Sequence, residues 1–97
     1  MKIKLHPEAV EDLENSIEYY ENIDINLKNK FLKDLDITFE RLKKHHHIYP
    51  FETKYSQKVL MNTFPYIILF TVIKKDINIL AIFHTKRDPK KLEKRLS

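Results

Sequence analysis

The sequence predicts an α+β domain in which a sheet packs against a pair of helices. Two patterns carry that expectation. Between residues 8 and 42 the apolar side chains recur every three or four positions in two successive runs, the spacing of one buried helical face. From Lys54 onward the period shortens, and Tyr66 to Ile73 and Ile77 to His84 become nearly continuous runs of β-branched and aromatic residues. The length of 97 residues sets the scale, one domain over residues 1–97 with one main core.

Met1 to Leu5 alternates apolar and basic residues and suits a short, half-buried strand. Pro7 then fits the first position of a helix, and the acids after it suit the positive end of the helix dipole. Val10, Leu13, Ile17 and Tyr20 make the apolar stripe of that helix, with Glu11, Glu14, Glu18 and Glu21 mostly outside it. Asn22 to Asn26 supplies a break. Leu27, Phe31, Leu35, Phe39 and Leu42 then mark a second helix, which must run back along the first as an αα-hairpin, and Pro50 stops any continuation.

Lys58 to Asn62 reads as a strand, Phe64-Pro65 as the interruption, Tyr66 to Ile73 as the next strand, and Lys74-Lys75-Asp76 as the connection to Ile77–His84. The last two strands are apolar on both faces and belong at the centre, with helices on one side and another cover opposite. Pro89 opens a short basic helix held by Leu92 and Leu96. The predicted order is β-α-α-β-β-β with a short C-terminal helix, an antiparallel sheet packed against an αα-hairpin.

Composition removes several function classes. With no cysteine there is no thiol nucleophile, disulfide framework or thiolate metal site, and a reducing, cytoplasmic setting is expected. No apolar run approaches the ~20 residues that span a bilayer, so no membrane segment or leader is expected. With no glycine, a glycine-rich phosphate cradle cannot form, and left-handed turn positions must fall to residues such as Asn62, Asp76 or Asn78.

The net charge of +4 is unevenly spread: residues 8 to 24 carry seven acids and no Lys or Arg, whereas residues 49 to 97 carry ten Lys or Arg against four acids. Such asymmetry points to a basic face that meets an anionic partner. His45-His46-His47 cannot converge on one ion from adjacent helical positions, and they suit the negative end of a helix dipole instead. No metal and no cofactor is expected. The acids of the first helix, Glu8, Asp12 and Glu18 among them, read as a solvated polar face.

The segment that can carry chemistry is His84-Thr85-Lys86-Arg87-Asp88-Pro89, directly after the last central strand. His84 can move a proton near neutral pH, and Arg87 offers a planar fork for phosphate or carboxylate. The competing expectation is that Arg87 pairs with an acid of the first helix. Lys54, Lys58, Lys86, Lys90, Lys91, Lys94 and Arg95 extend a basic surface around the segment.

The stretches FPYIILFTV and INILAIFHTKRDPKKL, preceded by an acidic helix with the Tyr19-Tyr20 pair and by a second helix, resemble the RelE/ParE superfamily of bacterial type II toxins. The resemblance covers nearly the whole chain and implies a small cytoplasmic toxin that arrests growth unless its cognate antitoxin binds it. RelE-like members cleave mRNA on the ribosome without metal, whereas ParE-like members inhibit DNA gyrase. Carried over by position, the first basic residue of the RelE set falls on Lys58 and its strand-end arginine on Arg87, but Leu60, Ile67 and Glu93 stand where that set has a lysine, an arginine and a tyrosine. Simple hairpins put Lys58 opposite Phe70 and Leu80, about 16 Å from His84 at ~3.3 Å per residue and ~4.8 Å per strand.

The expected function is therefore a ParE-like toxin that binds DNA gyrase, with antitoxin or target contacts at Lys54, Lys86, Lys90, Lys91, Leu92 and Leu96. The first alternative is a metal-independent, ribosome-dependent mRNA endonuclease using His84, Arg87 and Lys58. The second is a basic nucleic-acid-binding module, disfavoured because no aromatic array is interleaved with the lysines.

Overall fold

The computed structural model describes residues 1–96, and of Pro89, Lys91, Leu92 and Leu96 the backbone alone. The elements are β1 (Ile3–Leu5), α1 (Pro7–Ile23), α2 (Ile25–His45), a 3-10 turn (His46–Ile48), β2 (Gln57–Leu60), β3 (Tyr66–Ile73), β4 (Asp76–His84) and α3 (Pro89–Leu96). Their order is the predicted one. The sheet runs β1-β4-β3-β2, which puts the two apolar strands at its centre.

The hairpin strands β2, β3 and β4 pair antiparallel, but β1 joins the edge of β4 in parallel, with Ile3 opposite Ile77 and Leu5 opposite Ile79. The sheet is therefore mixed rather than wholly antiparallel. The helical hairpin between β1 and the remaining strands carries the chain across one face, the long crossover that a parallel neighbour requires.

Local chemistry explains the helix limits. His6 caps α1 by accepting the Glu8 amide on Nδ1 at 3.3 Å, and Pro7 stands at the first helical position. The predicted break at Asn22 to Asn26 shrinks to Asp24 alone. Its amide closes α1 on the Tyr20 carbonyl at 2.9 Å while its side chain caps α2 by accepting the Asn26 amide at 2.9 Å. One extended residue suffices because an aspartate serves both ends.

The main core lies between the helical hairpin and the sheet. Ala9, Tyr20, Phe31, Leu35 and Leu42 meet Val59, Tyr66, Ile68, Phe70, Ile77 and Ile79, all buried. A smaller cluster of Leu69, Ala81 and Phe83 lies on the opposite face of the same two strands, where Arg95 of α3 sits 4.9 Å over the Phe83 ring.

Details of turn and register depart from expectation. Positive φ falls on Lys74 (49°) and Lys75 (69°), not on Asn62, Asp76 or Asn78, so two lysines occupy the centre of the β3–β4 hairpin turn. A two-residue turn needs positive φ at both central positions to match strand twist, and the connection length fixes which residues bear it. The pairing also slips between Leu69 and Phe70, where Leu80 is an extra residue on β4. Separately, β2 pairs with β3 one residue away from the expected register, so Lys58 faces Leu69 and, across it, Ala81 rather than Phe70 and Leu80.

Candidate functional site

The end of the sheet where β3 begins and β4 stops gathers a cluster of aromatic side chains. Tyr20 from α1 packs among Phe31, Phe64 and Tyr66, with ring centroids 5.2, 5.0 and 6.2 Å away. Its neighbour Tyr19 lies one step around the helix and is 44% exposed. Burial, followed by hydrogen bonding with Tyr66, pushes the Tyr20 phenol well above its ordinary value, so it stays neutral.

Arg87 closes this cluster from the segment after β4. Its guanidinium lies 3.5 Å above the Tyr19 ring and donates a hydrogen bond from Nη2 to the Tyr66 hydroxyl. A stacked guanidinium held at one edge by a phenol is fixed in orientation. Arg87 itself remains exposed. The competing expectation, Arg87 paired with an acid of the first helix, is not what the structure shows; Arg95 takes those acids instead, its Nε meeting Glu8 at 2.6 Å and its Nη2 meeting Asp12 at 2.8 Å.

Asp12 is consequently not part of a solvated face. Its side chain is 9% exposed, accepts two hydrogen bonds from Arg95 and accepts the Ile82 amide at 3.0 Å. Sequence periodicity could not single it out, because Glu8, Glu11, Asp12 and Glu14 share one acidic run and only the path of β4 distinguishes them.

His84 has its ring edge-on to Tyr66 at 5.2 Å. Its Nδ1 accepts the amides of Arg87 at 2.9 Å and Lys86 at 3.1 Å, so the imidazole holds the turn that carries Arg87. The neutral ring then bears its proton on Nε2. Burial, and secondarily the Arg87 charge, lowers the His84 pKa below its ordinary 6.5.

The remaining predicted residues are spread over the surface. Lys58 forms an ion pair with Glu52 at 3.0 Å and sits two strands from His84, about 14 Å away by strand spacing and the observed register. Lys54 is exposed over the Tyr55 ring at 5.6 Å, and Lys86 and Lys90 are exposed. The side chains of Lys91, Leu92 and Leu96 lie outside the described residues. His84 and Arg87 are thus brought together, and Lys58 is not. Among the described residues no three His, Asp or Glu side chains converge as a metal site.

Sequence reading missed Asp34. It is buried on α2, and its carboxylate accepts the amides of Asn62 at 3.2 Å, Thr63 at 2.9 Å and Phe64 at 2.9 Å, fastening the β2–β3 connection beneath the aromatic cluster. The one signal for it was a carboxylate on the apolar side of α2, one position before Leu35.

A solved structure, "Chromosomal ParDE TA system from P. aeruginosa", shares the fold with a TM-score of 0.72 and 22% identity, over 87% of this chain and 95% of that one. The family described as "ParE toxin of type II toxin-antitoxin system, parDE" matches residues 3–89, and the chain belongs to it. No protein of curated function matches the sequence.

Proposed function

We propose that this toxin acts by binding a protein, that its target is DNA gyrase, and that the stacked Arg87–Tyr19 pair is the centre of the contact surface. The observation that carries the reading is the use already made of the candidate catalytic groups. His84 Nδ1 is occupied by two backbone amides and Lys58 is paired with Glu52 two strands away, whereas Arg87 and Tyr19 are rigid and exposed. A shared proton relay needs hydrogen-bond contact or one bridging water, which about 14 Å does not allow. Rigid arginine and tyrosine side chains are the residue types that dominate protein interfaces. The exposed lysines Lys54, Lys86 and Lys90 form the basic surface for an acidic segment of the antitoxin, and the cytoplasm is where this pair would operate. No helix among the described residues is long and apolar enough to cross a membrane.

The test is supercoiling by purified gyrase beside single-turnover cleavage of ribosome-bound mRNA, each with wild type, His84→Ala and Arg87→Ala. Arg87→Ala abolishes gyrase inhibition and growth arrest, His84→Ala retains much of both, and chelators change nothing. Codon-positioned mRNA cleavage lost in His84→Ala, with supercoiling untouched, would make the protein an endonuclease instead.

A further inference from the structure

The two helices of the hairpin carry opposite charge. On α1 the exposed acids Glu11, Glu14, Glu18 and Glu21 recur at helical spacing, and no lysine or arginine stands among them. On α2, Lys30, Lys33, Ile37, Arg41 and Lys44 follow one another at steps of three or four residues and share one face, about 21 Å long at 1.5 Å per residue. That face borders the β2–β3 connection. A cleft of about 280 Å³ lies between Lys30 and Lys33 and residues 62 to 64, another of about 370 Å³ lies at Arg41 and Lys44, and both reach Ile37.

Lys28 and Lys43 of the same helix form ion pairs with Glu21 and Glu40, both at 3.1 Å. Among the described residues, Lys30, Lys33, Arg41 and Lys44 have no such partner. Arg41 carries the argument beyond surface charge. It is half-buried, its Nη2 donates to the Leu60 carbonyl at 3.0 Å and to the Thr38 hydroxyl at 3.5 Å, and its enclosed Nε has no acceptor. A partly desolvated guanidinium held only by neutral oxygens lacks the anion that would compensate it.

We propose that this face of α2 binds the phosphate backbone of duplex DNA without regard to base sequence, and that the toxin uses it on DNA held by gyrase. The second half rests on the gyrase reading above and the first does not. Arginine and lysine contacts to phosphate position a protein on the duplex and carry no sequence information. A strand of B-DNA presents one phosphate per ~3.4 Å of axis, so about six lie along a 21 Å ridge, enough for all four cations. An acidic helix from a protein fits less well, because it needs apolar anchors at several turns and the ridge offers Ile37 alone. Asp36 and Glu40 border the ridge; Lys43 neutralises Glu40, which leaves Asp36 as a repulsive group. The acids of α1 repel the same strand and turn the molecule so that α2 approaches first.

The experiment titrates the full chain against a fluorescent duplex of about 20 base pairs by anisotropy, at roughly 50 to 200 mM salt, with circular dichroism as the folding control. Wild type binds with Kd on the order of 10⁻⁵ M, and its affinity falls with salt at a logarithmic slope of about −3. Lys33→Gln and Lys44→Gln, both at exposed positions, each weaken binding about 3-fold and reduce that slope by about 1, whereas Asp36→Asn tightens binding about 2-fold. Lys74→Gln with Lys75→Gln, at the tip of the β3–β4 hairpin, leaves both unchanged. The double variant Lys33→Gln/Lys44→Gln binds gyrase holding DNA about 10-fold more weakly and binds DNA-free gyrase as wild type does. No salt-dependent binding by wild type, or equal weakening by the hairpin-tip variant, overturns the phosphate site. Equal weakening toward DNA-free gyrase assigns the ridge to a protein partner and overturns it as well. Duplex binding that follows these substitutions, beside no affinity of wild type for gyrase in either form, supports the phosphate site and overturns the gyrase reading instead.

Discussion

The two ends of the same sheet are secured by different means. At one end β3 turns into β4 through Lys74 and Lys75, both with positive φ, and the side-chain help nearby centres on Asp76, which pairs with Lys4 at 3.0 Å, accepts the Lys2 amide at 3.4 Å on its carboxylate and accepts from Asn78 at 3.3 Å on its carbonyl. That turn is held by the strands and opposed by its own residues, since a left-handed conformation costs an ordinary residue roughly 1–2 kcal/mol. At the other end the backbone is irregular and side chains hold it: Asp34 fastens residues 62 to 64, His84 fastens residues 86 and 87, and rings of Tyr20, Phe31, Phe64 and Tyr66 fill the space between. The end built from side chains is the one that can present Arg87 to a partner.

Removing the fastening at the aromatic end tests this contrast most severely. Asp34→Ala leaves three amides without their carboxylate, one of them on buried Phe64, and lowers unfolding free energy by about 3 kcal/mol. Urea unfolding with an unchanged slope reads that loss, and a variant within about 0.5 kcal/mol of wild type would mean that the connection holds itself.

Asp12→Ala comes next, because it strands Arg95 and frees the Ile82 amide; the expected loss is about 2 kcal/mol. Arg95→Gln costs less, about 1 kcal/mol, since its guanidinium is the more exposed partner. If the two losses are additive in the double variant, Arg95 and Asp12 are not coupled and the pair does not fasten α3 to α1.

The opposite end should improve on substitution. Replacing Lys74-Lys75 by Asn-Gly gives the turn residues that tolerate positive φ and raises stability by about 1 kcal/mol, which for a chain this size is roughly 4–8 °C in Tm. A flat or lower Tm would show that the lysines are not opposed to their conformation.

The smallest effect is a pH dependence from His84. Its folded pKa lies below the ordinary 6.5, so the native state prefers the neutral ring. The stabilising difference is complete above pH 6.5 and is lost as pH falls from there through the folded value. Comparing wild type with His84→Gln between pH 7.5 and 5 isolates that contribution, and equal slopes in both proteins would remove it.

Much of this molecule was legible in the residue pattern because the causes are local. Apolar spacing gave α1 and α2, Pro7 and Pro89 marked two helix starts, and the β-branched run Tyr66 to Ile73 is a strand over that span. The family resemblance also rested on contiguous residues, the Phe-Pro-Tyr step and the strand end from His84 to Pro89, and the family match over residues 3–89 agrees with it.

What the sequence could not show depends on which strand lies beside which. A three-residue strand pairs equally well in either direction on paper, and only the crossing of the helical hairpin sets β1 parallel to β4. A one-residue difference in the β2–β3 pairing sets what Lys58 faces, and a single extra residue at Leu80 turns Leu80 and Ile82 toward the edge of β4 beyond β1. That edge, in turn, decides that of all the acids on α1 it is Asp12 that receives a backbone amide, and that Arg95 rather than Arg87 answers it. Side-chain type and spacing fix helices and strands through neighbours a few residues apart, whereas pairing direction and the fate of individual charges depend on groups 70 and 83 residues away in the chain. Only the folded arrangement brings those together.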